Sequence, residues 1–186
     1  MQLLDQPRWD ELVRLREQFQ KPVVIDENRY EGDAPTDWGS LPPEELVHRF
    51  WIAAVAGAYN GHSETYIKGE RPIWWSHGGR LHGESWQRIR FLRSIVESGP
   101  PIGLTPIGLR TSPWRADKGD EFVVAYFGVH APSGWTARLP RGRRFVIELL
   151  DTWRMTRRRL PGTWADGELV PLPRRSYLAL RATAAP

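Results

Sequence analysis

The rhythm of this chain changes once, at Ser98-Gly99-Pro100-Pro101. Before that point, stretches with apolar residues at helical spacing alternate with short β-branched runs. After it, short β-rich runs follow one another between Pro, Gly and Asp. Helix and strand in alternation mark an α/β unit, because parallel strands need a helical crossover; closely spaced strands with turn signals between them build antiparallel sheets. The expected fold class is α/β followed by all-β, with a boundary near residues 99–105 that separates residues 1–100 from residues 101–186.

In the first part, Trp9, Leu12, Leu15 and Phe19 predict an amphipathic helix over about residues 7–20, ended by Lys21-Pro22. Val23-Val24-Ile25 is β-branched throughout and fits a strand buried on both faces, as in a parallel sheet. A polar loop runs from Asn28 to Leu41. Leu41-Pro42-Pro43-Glu44-Glu45 then reads as a helix start, with Pro in the first turn and acids at the positive end of the dipole. Leu46, Phe50, Ala54 and Ala58 continue its apolar face. A short strand is expected around Tyr59–Gly61, a loop over residues 67–83, and a third helix over Ser85–Val96 with Ile89, Leu92 and Val96 on one side. In the second part, Phe122–Val129, Trp135–Leu139, Phe145–Leu150, Leu169–Leu172 and Tyr177–Leu180 are spaced like the strands of a small antiparallel β-sandwich.

Composition excludes several classes of function. The absence of cysteine rules out disulfides, thiolate metal sites and a catalytic thiol. Met1-Gln2-Leu3-Leu4-Asp5 lacks a basic segment followed by an apolar one, and no run approaches the roughly 18 apolar residues of a membrane span, so no membrane partner is expected and the cytoplasm is favoured. The net charge of +4 divides unevenly: residues 1–98 carry 12 Lys+Arg against 15 Asp+Glu, and residues 99–186 carry 14 against 7. The arginines of the basic half are scattered over β-like runs, with Arg157-Arg158-Arg159 as one solvated strand or turn, which is not the gathered footprint of a nucleic-acid partner. Ten tryptophans are more informative. Trp38, Trp74 and Trp75 sit in polar, glycine-rich surroundings, and flat indoles beside carboxylates suit sugar rings.

Chemistry-bearing residues gather at two strand ends. Asp26-Glu27-Asn28-Arg29-Tyr30-Glu31 follows the buried run, and in parallel sheets the residues past a strand's C-terminal end face the active site. Two carboxylates, a guanidinium and a phenol there suit a catalytic acid, or else a salt-bridged loop that simply finishes a strand. The second cluster, His62-Ser63-Glu64-Thr65-Tyr66, follows the next strand, with Trp74-Trp75-Ser76-His77 on the loop beyond. His62, His77 and His82 lack ligand spacing, so no metal and no cofactor is expected. No serine stands in a nucleophile-elbow pattern, and Gly78-Gly79 does not join strand to helix as a phosphate loop requires.

The stretches KPVVIDENRYEG, RFWIAAVAGAYNGHSETY and WWSHGGRLHGES closely resemble the last part of the apiosidase-like (β/α)8-barrel glycoside hydrolases, and DTWRMTRRRLPGTWADGELVPLPRRSYLALR resembles the β-sandwich that follows the barrel in a β-xylosidase branch. The resemblance implies that residues 1–100 are an incomplete barrel fragment, its last two strands with their helices, joined to a small C-terminal antiparallel β-sandwich. It implies that Glu27 is the catalytic carboxylate, with Arg29, Tyr30 and Glu31 as the trio after it; Asn28 departs from the Cys or Pro often found there. Glu27 would act as nucleophile about 5 Å from the acid/base of a retaining mechanism. Arg29 would keep it ionised, while strand alternation points Asp26 away. Tyr30, His62 and Glu64 would bond sugar hydroxyls, Trp75 would stack on a ring with His77 beside it, and Trp74 would pack on the barrel wall. The partners implied are a carbohydrate substrate and the missing N-terminal barrel half, which would carry the acid/base. Alone, the chain is then expected to be inactive and to expose an unpaired sheet edge and apolar faces.

Overall fold

The structure, a computed structural model, describes residues 8–108 and 113–186. Helix α1, Trp9–Phe19, closes on Gln20 in the left-handed conformation, whose N–H bonds the carbonyl of Arg16 just before Pro22. The expected first helical residue, Pro7, lies outside the described residues, as does the N-terminal segment before it. Trp9, Leu12 and Val13 are buried, whereas Phe19 is exposed. Strand β1, Val24–Ile25, is followed by β2, Glu31–Gly32, and then by α2, Pro43–Val55, with Pro at its first turn and Glu44 and Glu45 behind it. Next come β3, Tyr59–Asn60, β4, Glu64–Thr65, and α3, Ser85–Val96, which occupies the expected span. β1 pairs in parallel with β3, and β2 with β4, across the α2 crossover. The β1 run is not buried on both faces as expected. Ile25 is fully covered by the helices, but Val24 is 49% and its partner Tyr59 64% exposed, so the pair has one bare side.

The second part consists of β5, Thr105–Ile107; β6, Trp114–Asp117; β7, Phe122–Gly128; β8, Gly134–Thr136; β9, Phe145–Asp151; β10, Thr156–Arg159; β11, Leu169–Pro171; and β12, Leu178–Ala184. Six of these form one antiparallel sheet in the order β10-β9-β12-β7-β6-β5, and β8 with β11 forms a second, two-stranded sheet. All seven residues of β7 are buried because both faces of the large sheet are covered. Val123, Ala125 and Phe127 face a core shared with Trp135 and Val170 of the small sheet, while Phe122, Val124 and Tyr126 join the core of the helices. The self-contained sandwich expected from strand spacing is therefore a different arrangement: α2 packs on one side of the large sheet and β8–β11 on the other. Sequence reading did not separate β5, β6 and β10 from loops. β10 is the arginine run; it is exposed along its length on the sheet edge, where charge discourages further pairing.

One hydrophobic core crosses the expected boundary, running from Trp9 and Leu46 through Trp51 to Tyr126 and Ala179. Trp51 on α2 is fully buried and stacks on Tyr126 of β7 at 5.2 Å between ring centroids. Beside it, buried His48 has its Nδ1 2.8 Å from the Tyr126 hydroxyl and its ring among those of Trp114, Tyr126 and Tyr177. Burial pushes the His48 pKa below its ordinary 6.5; the Glu45 charge partly opposes this and the Arg49 charge adds to it. Its folded pKa is depressed, so the neutral ring fits the core, and the stability it contributes is full above the ordinary value and is lost as pH falls through it. The urea midpoint of the chain is expected to fall between about pH 7.5 and about pH 5, and His48→Gln to flatten that fall. An unchanged slope in the variant would contradict this role.

Candidate functional site at the ends of the parallel strands

Glu27 lies half-buried just past β1, while Asp26 beside it is exposed. The two parallel strands converge where Glu27 leaves them. Gly61 N–H donates to the Ile25 carbonyl at 2.9 Å, and a Cβ at Gly61 would stand 2.6 Å from the Asp26 carbonyl oxygen, so only glycine permits that approach. Beneath Glu27, the buried Asn28 is held from α2: Arg49, itself 4% exposed, donates Nη1 to the Asn28 carbonyl at 3.3 Å and to its Oδ1 at 3.4 Å, and Nε to Glu45 at 2.9 Å. Glu45 compensates the buried guanidinium charge. Arg29 follows with φ at +58°, a conformation that non-glycine residues seldom adopt and that concentrates at functional sites. Tyr30 is half-buried; burial, and then the charges of Glu27 and Asp26, push its pKa up. Its phenol therefore stays protonated within the electric field of Glu27.

The remaining carboxylates serve a different purpose. Glu31 and Glu64, in register on β2 and β4, are 1% and 0% exposed. Glu64 Oε2 accepts the backbone N–H groups of His82 and Gly83 at 2.9 and 3.0 Å. Glu31 accepts those of Glu84 and Ser85 at 2.7 and 2.8 Å and the Tyr66 hydroxyl at 2.7 Å. Four successive amides at the start of α3 are thus held by two buried carboxylates, which satisfies donors that a helix N-terminus leaves unpaired and places negative charge at its positive end. Burial pushes the Glu31 carboxyl up, but the bonds from Ser85, Glu84 and Tyr66 outweigh it and leave it below its ordinary range. The Tyr66 hydroxyl is pushed far above its ordinary value by burial and by Glu31. Glu31 and Glu64, expected at the sugar, are instead placed beneath the loop they hold. The sequence marked them by type but could not show that their oxygens face α3.

His62 is half-buried, with Nε2 3.0 Å from Ser85 Oγ and its ring against Phe50; burial lowers its pKa, opposed by Glu64 and Glu31, which keeps the ring neutral. Trp75 is 72% exposed at a turn of the following loop. Trp74 is half-buried; it stacks on His77 at 4.4 Å, and its indole N–H donates to Ser76. His77 is exposed. Sequence reading missed Arg49, Tyr66 as an anchor, and Ser85. Gly83-Glu84-Ser85 ahead of a helical run was the available signal for the last of these. Among the described residues, no three His, Asp or Glu gather to hold a metal ion, and no helix is long and apolar enough to cross a membrane.

Among the described residues, the β-rich part offers no comparable surface. Trp135 is buried against Phe127, Trp153 lies under the Arg88 guanidinium at 3.6 Å, and Trp164 packs on the core of the small sheet, so the three do not form an exposed aromatic platform. Its arginines are largely tied individually: Arg141 to Asp166, Arg144 to Glu168, Arg175 to Asp151, Arg181 to Glu148 and Arg157 to Ser94.

The fold resembles that of proteins of known structure described as glycoside hydrolases. A protein from Bacteroides vulgatus ATCC 8482 described as a glycoside hydrolase superposes over 95% of this chain and 39% of its own, with a TM-score of 0.84 and 30% identity. A glycoside hydrolase family 5 protein from the same organism superposes over 94% of this chain and 45% of its own, with a TM-score of 0.65 and 13% identity. A further glycoside hydrolase gives 94% and 46%, with a TM-score of 0.65 and 12% identity. The chain spans less than half the length of each. Residues 112–183 match a domain of unknown function (DUF5605), and no curated protein matches the chain. The chain therefore has a mixed α/β fold of the kind found in glycoside hydrolases.

Proposed function

We propose that the chain is the part of a glycoside hydrolase that carries its catalytic nucleophile, acting on plant-type oligo- or polysaccharides and related to the apiosidase-like and β-xylosidase branch. The observation that carries this reading is the position of Glu27: half-buried past a parallel strand, next to the buried Asn28 that Arg49 holds from α2, and close enough to Tyr30 for its charge to raise the phenol's pKa. Glu27 would attack the anomeric carbon, and water would later release the sugar. Arg29, Tyr30, His62 and His77 would meet hydroxyls and Trp75 a ring face, while Glu31 and Glu64 position the loop that carries Trp75.

In this reading residues 1–100 supply the closing strands of a barrel and residues 101–186 an accessory module. The remaining strands would cover the bare Val24–Tyr59 side of β1 and β3 and the adjoining cleft of about 1130 Å³, lined by Phe50, Ala53, Ile89, Leu92 and Val96. Those strands would also bring the acid/base. The purified chain is accordingly expected to release no nitrophenol from aryl xylosides or arabinosides above the buffer rate. Release that disappears in Glu27→Gln would mean that the chain holds a complete site and would refute this division of labour.

A further inference from the structure

We infer that Trp38 and Trp75 are paired stacking platforms for a linear oligosaccharide, one on each of the two loops that follow β1 and β3. This rests on reading the Glu27 end of the fold as a carbohydrate site, and extends it to Trp38, which that reading does not use. The fold buries Trp9, Trp51 and Trp135 almost completely, yet leaves Trp38 39% and Trp75 72% exposed. Each exposed indole keeps wet an apolar area whose burial would stabilise the fold, at about 25 cal/mol per Å².

Both loops are held by hydrogen bonds at the backbone. Trp38 lies in a single turn, Asp37–Gly39; its carbonyl accepts the Tyr30 N–H at 2.7 Å, and its ring meets that of Tyr30 edge-on at 6.2 Å. The next residue, Gly39, has its carbonyl bonded by Thr65 Oγ1 at 2.7 Å, and a Cβ there would stand 2.8 Å from the Ala34 methyl. Trp75 stands at the corner of a turn closed by the N–H groups of His77 and Gly78 on the Trp74 carbonyl, at 3.0 and 2.9 Å, and stiffened by the Trp74–His77 stack. The base of that loop is fixed by Ile73 N–H on the Tyr66 carbonyl at 2.8 Å and by the His82 ring on the Arg71 carbonyl at 2.9 Å.

The two loops are joined to each other. Besides the β2–β4 pairing, Asp33 N–H donates to the Thr65 carbonyl at 3.1 Å and Ile67 N–H to Asp33 Oδ1 at 2.7 Å. The backbones of the two loops that carry the indoles are therefore fixed relative to each other, which lowers the ordering cost for a ligand that bridges them. A flat apolar ring face with a polar group at its edge, as Tyr30 stands beside Trp38, matches a pyranose, apolar on its C–H faces and polar around its rim. Two such faces on separate loops require more than one sugar ring. The ligand is thus a chain of sugars, gripped on both loops.

Binding tests this without catalysis. The 186-residue chain is titrated calorimetrically with xylohexaose, arabinohexaose and cellohexaose, and with the matching monosaccharides. At least one hexasaccharide is expected to bind, its monosaccharide far more weakly; Trp38→Ala and Trp75→Ala should each weaken the hexasaccharide by about tenfold or more, and Leu169→Ala, at an exposed position of β11, should leave it unchanged. Trp38→Leu, which keeps apolar bulk without a flat face, should weaken it as much, and Trp38→Phe should retain it; circular dichroism checks each fold. Parent-like binding by folded Trp38→Ala or Trp38→Leu overturns the inference and leaves the reading of the site intact, whereas binding of none of the six sugars by the parent overturns both.

Discussion

Glu31→Ala lowers the stability of the chain by about 3 kcal/mol, the upper range for stripping a buried acceptor from its donors. The carboxylate accepts two backbone amides at the start of α3 and the Tyr66 hydroxyl, and it is 1% exposed, so water cannot take its place without opening the loop. The variant strands three donors at once, of which the Ser85 amide is fully buried. The loss is local first: amide exchange at Glu84 and Ser85 should accelerate more than exchange in β7, which lies in the central sheet. Because the Glu31 pKa is depressed below its ordinary 4.5, its contribution is full above that value and is lost as pH falls through the folded pKa. The variant's deficit should therefore shrink in acid. Urea unfolding that shows a loss under about 0.5 kcal/mol, the range of ordinary surface substitutions, would remove Glu31 from this role.

Trp51→Ala is expected to cost about 3–5 kcal/mol, as removal of a large aromatic from a close-packed core does. Its indole is fully buried on α2 and stacks on Tyr126 of β7, so it belongs equally to both halves of the chain. The substitution should lower the midpoint of one shared unfolding transition, recorded alike by far-ultraviolet circular dichroism and tryptophan fluorescence. Leu169→Ala, at a residue 68% exposed on β11, should shift it by less than about 0.5 kcal/mol. Two separate transitions, with only the first moved by Trp51→Ala, would mean that the halves fold independently and that their common core contributes little.

The contrast between these two residues shows what the sequence made legible. Periodicity located α3 to the residue and α1 and α2 closely, because each has apolar positions at helical spacing with Pro near one end. It also found β7, β9 and the first three residues of β12, which are apolar. It did not show that α2 is buried on nearly all sides, since one apolar face was all that its spacing displayed; the second face is covered by Phe122, Val124 and Tyr126, a contact of long range. β5 and β6 were hidden by prolines and charges, and β10 by its arginines. At the site, the acidic strand ends were visible as clusters. Which carboxylates are buried on the start of α3 was not, because Glu27, Glu31 and Glu64 differ only in what surrounds them after folding.

Glu27 decides the account. Residues 1–186 can be joined to the portion of the Bacteroides vulgatus relative that they do not cover, and the resulting protein treated with 2-deoxy-2-fluoro glycosides of xylose and arabinose, which let a nucleophile react but slow release of the sugar. Peptide mass spectrometry then reads the labelled residue. A single sugar adduct on Glu27, absent in Glu27→Gln, is the expected result; an adduct on Asp26, Glu31 or Glu64, or turnover that survives in Glu27→Gln, would show that Glu27 is not the nucleophile.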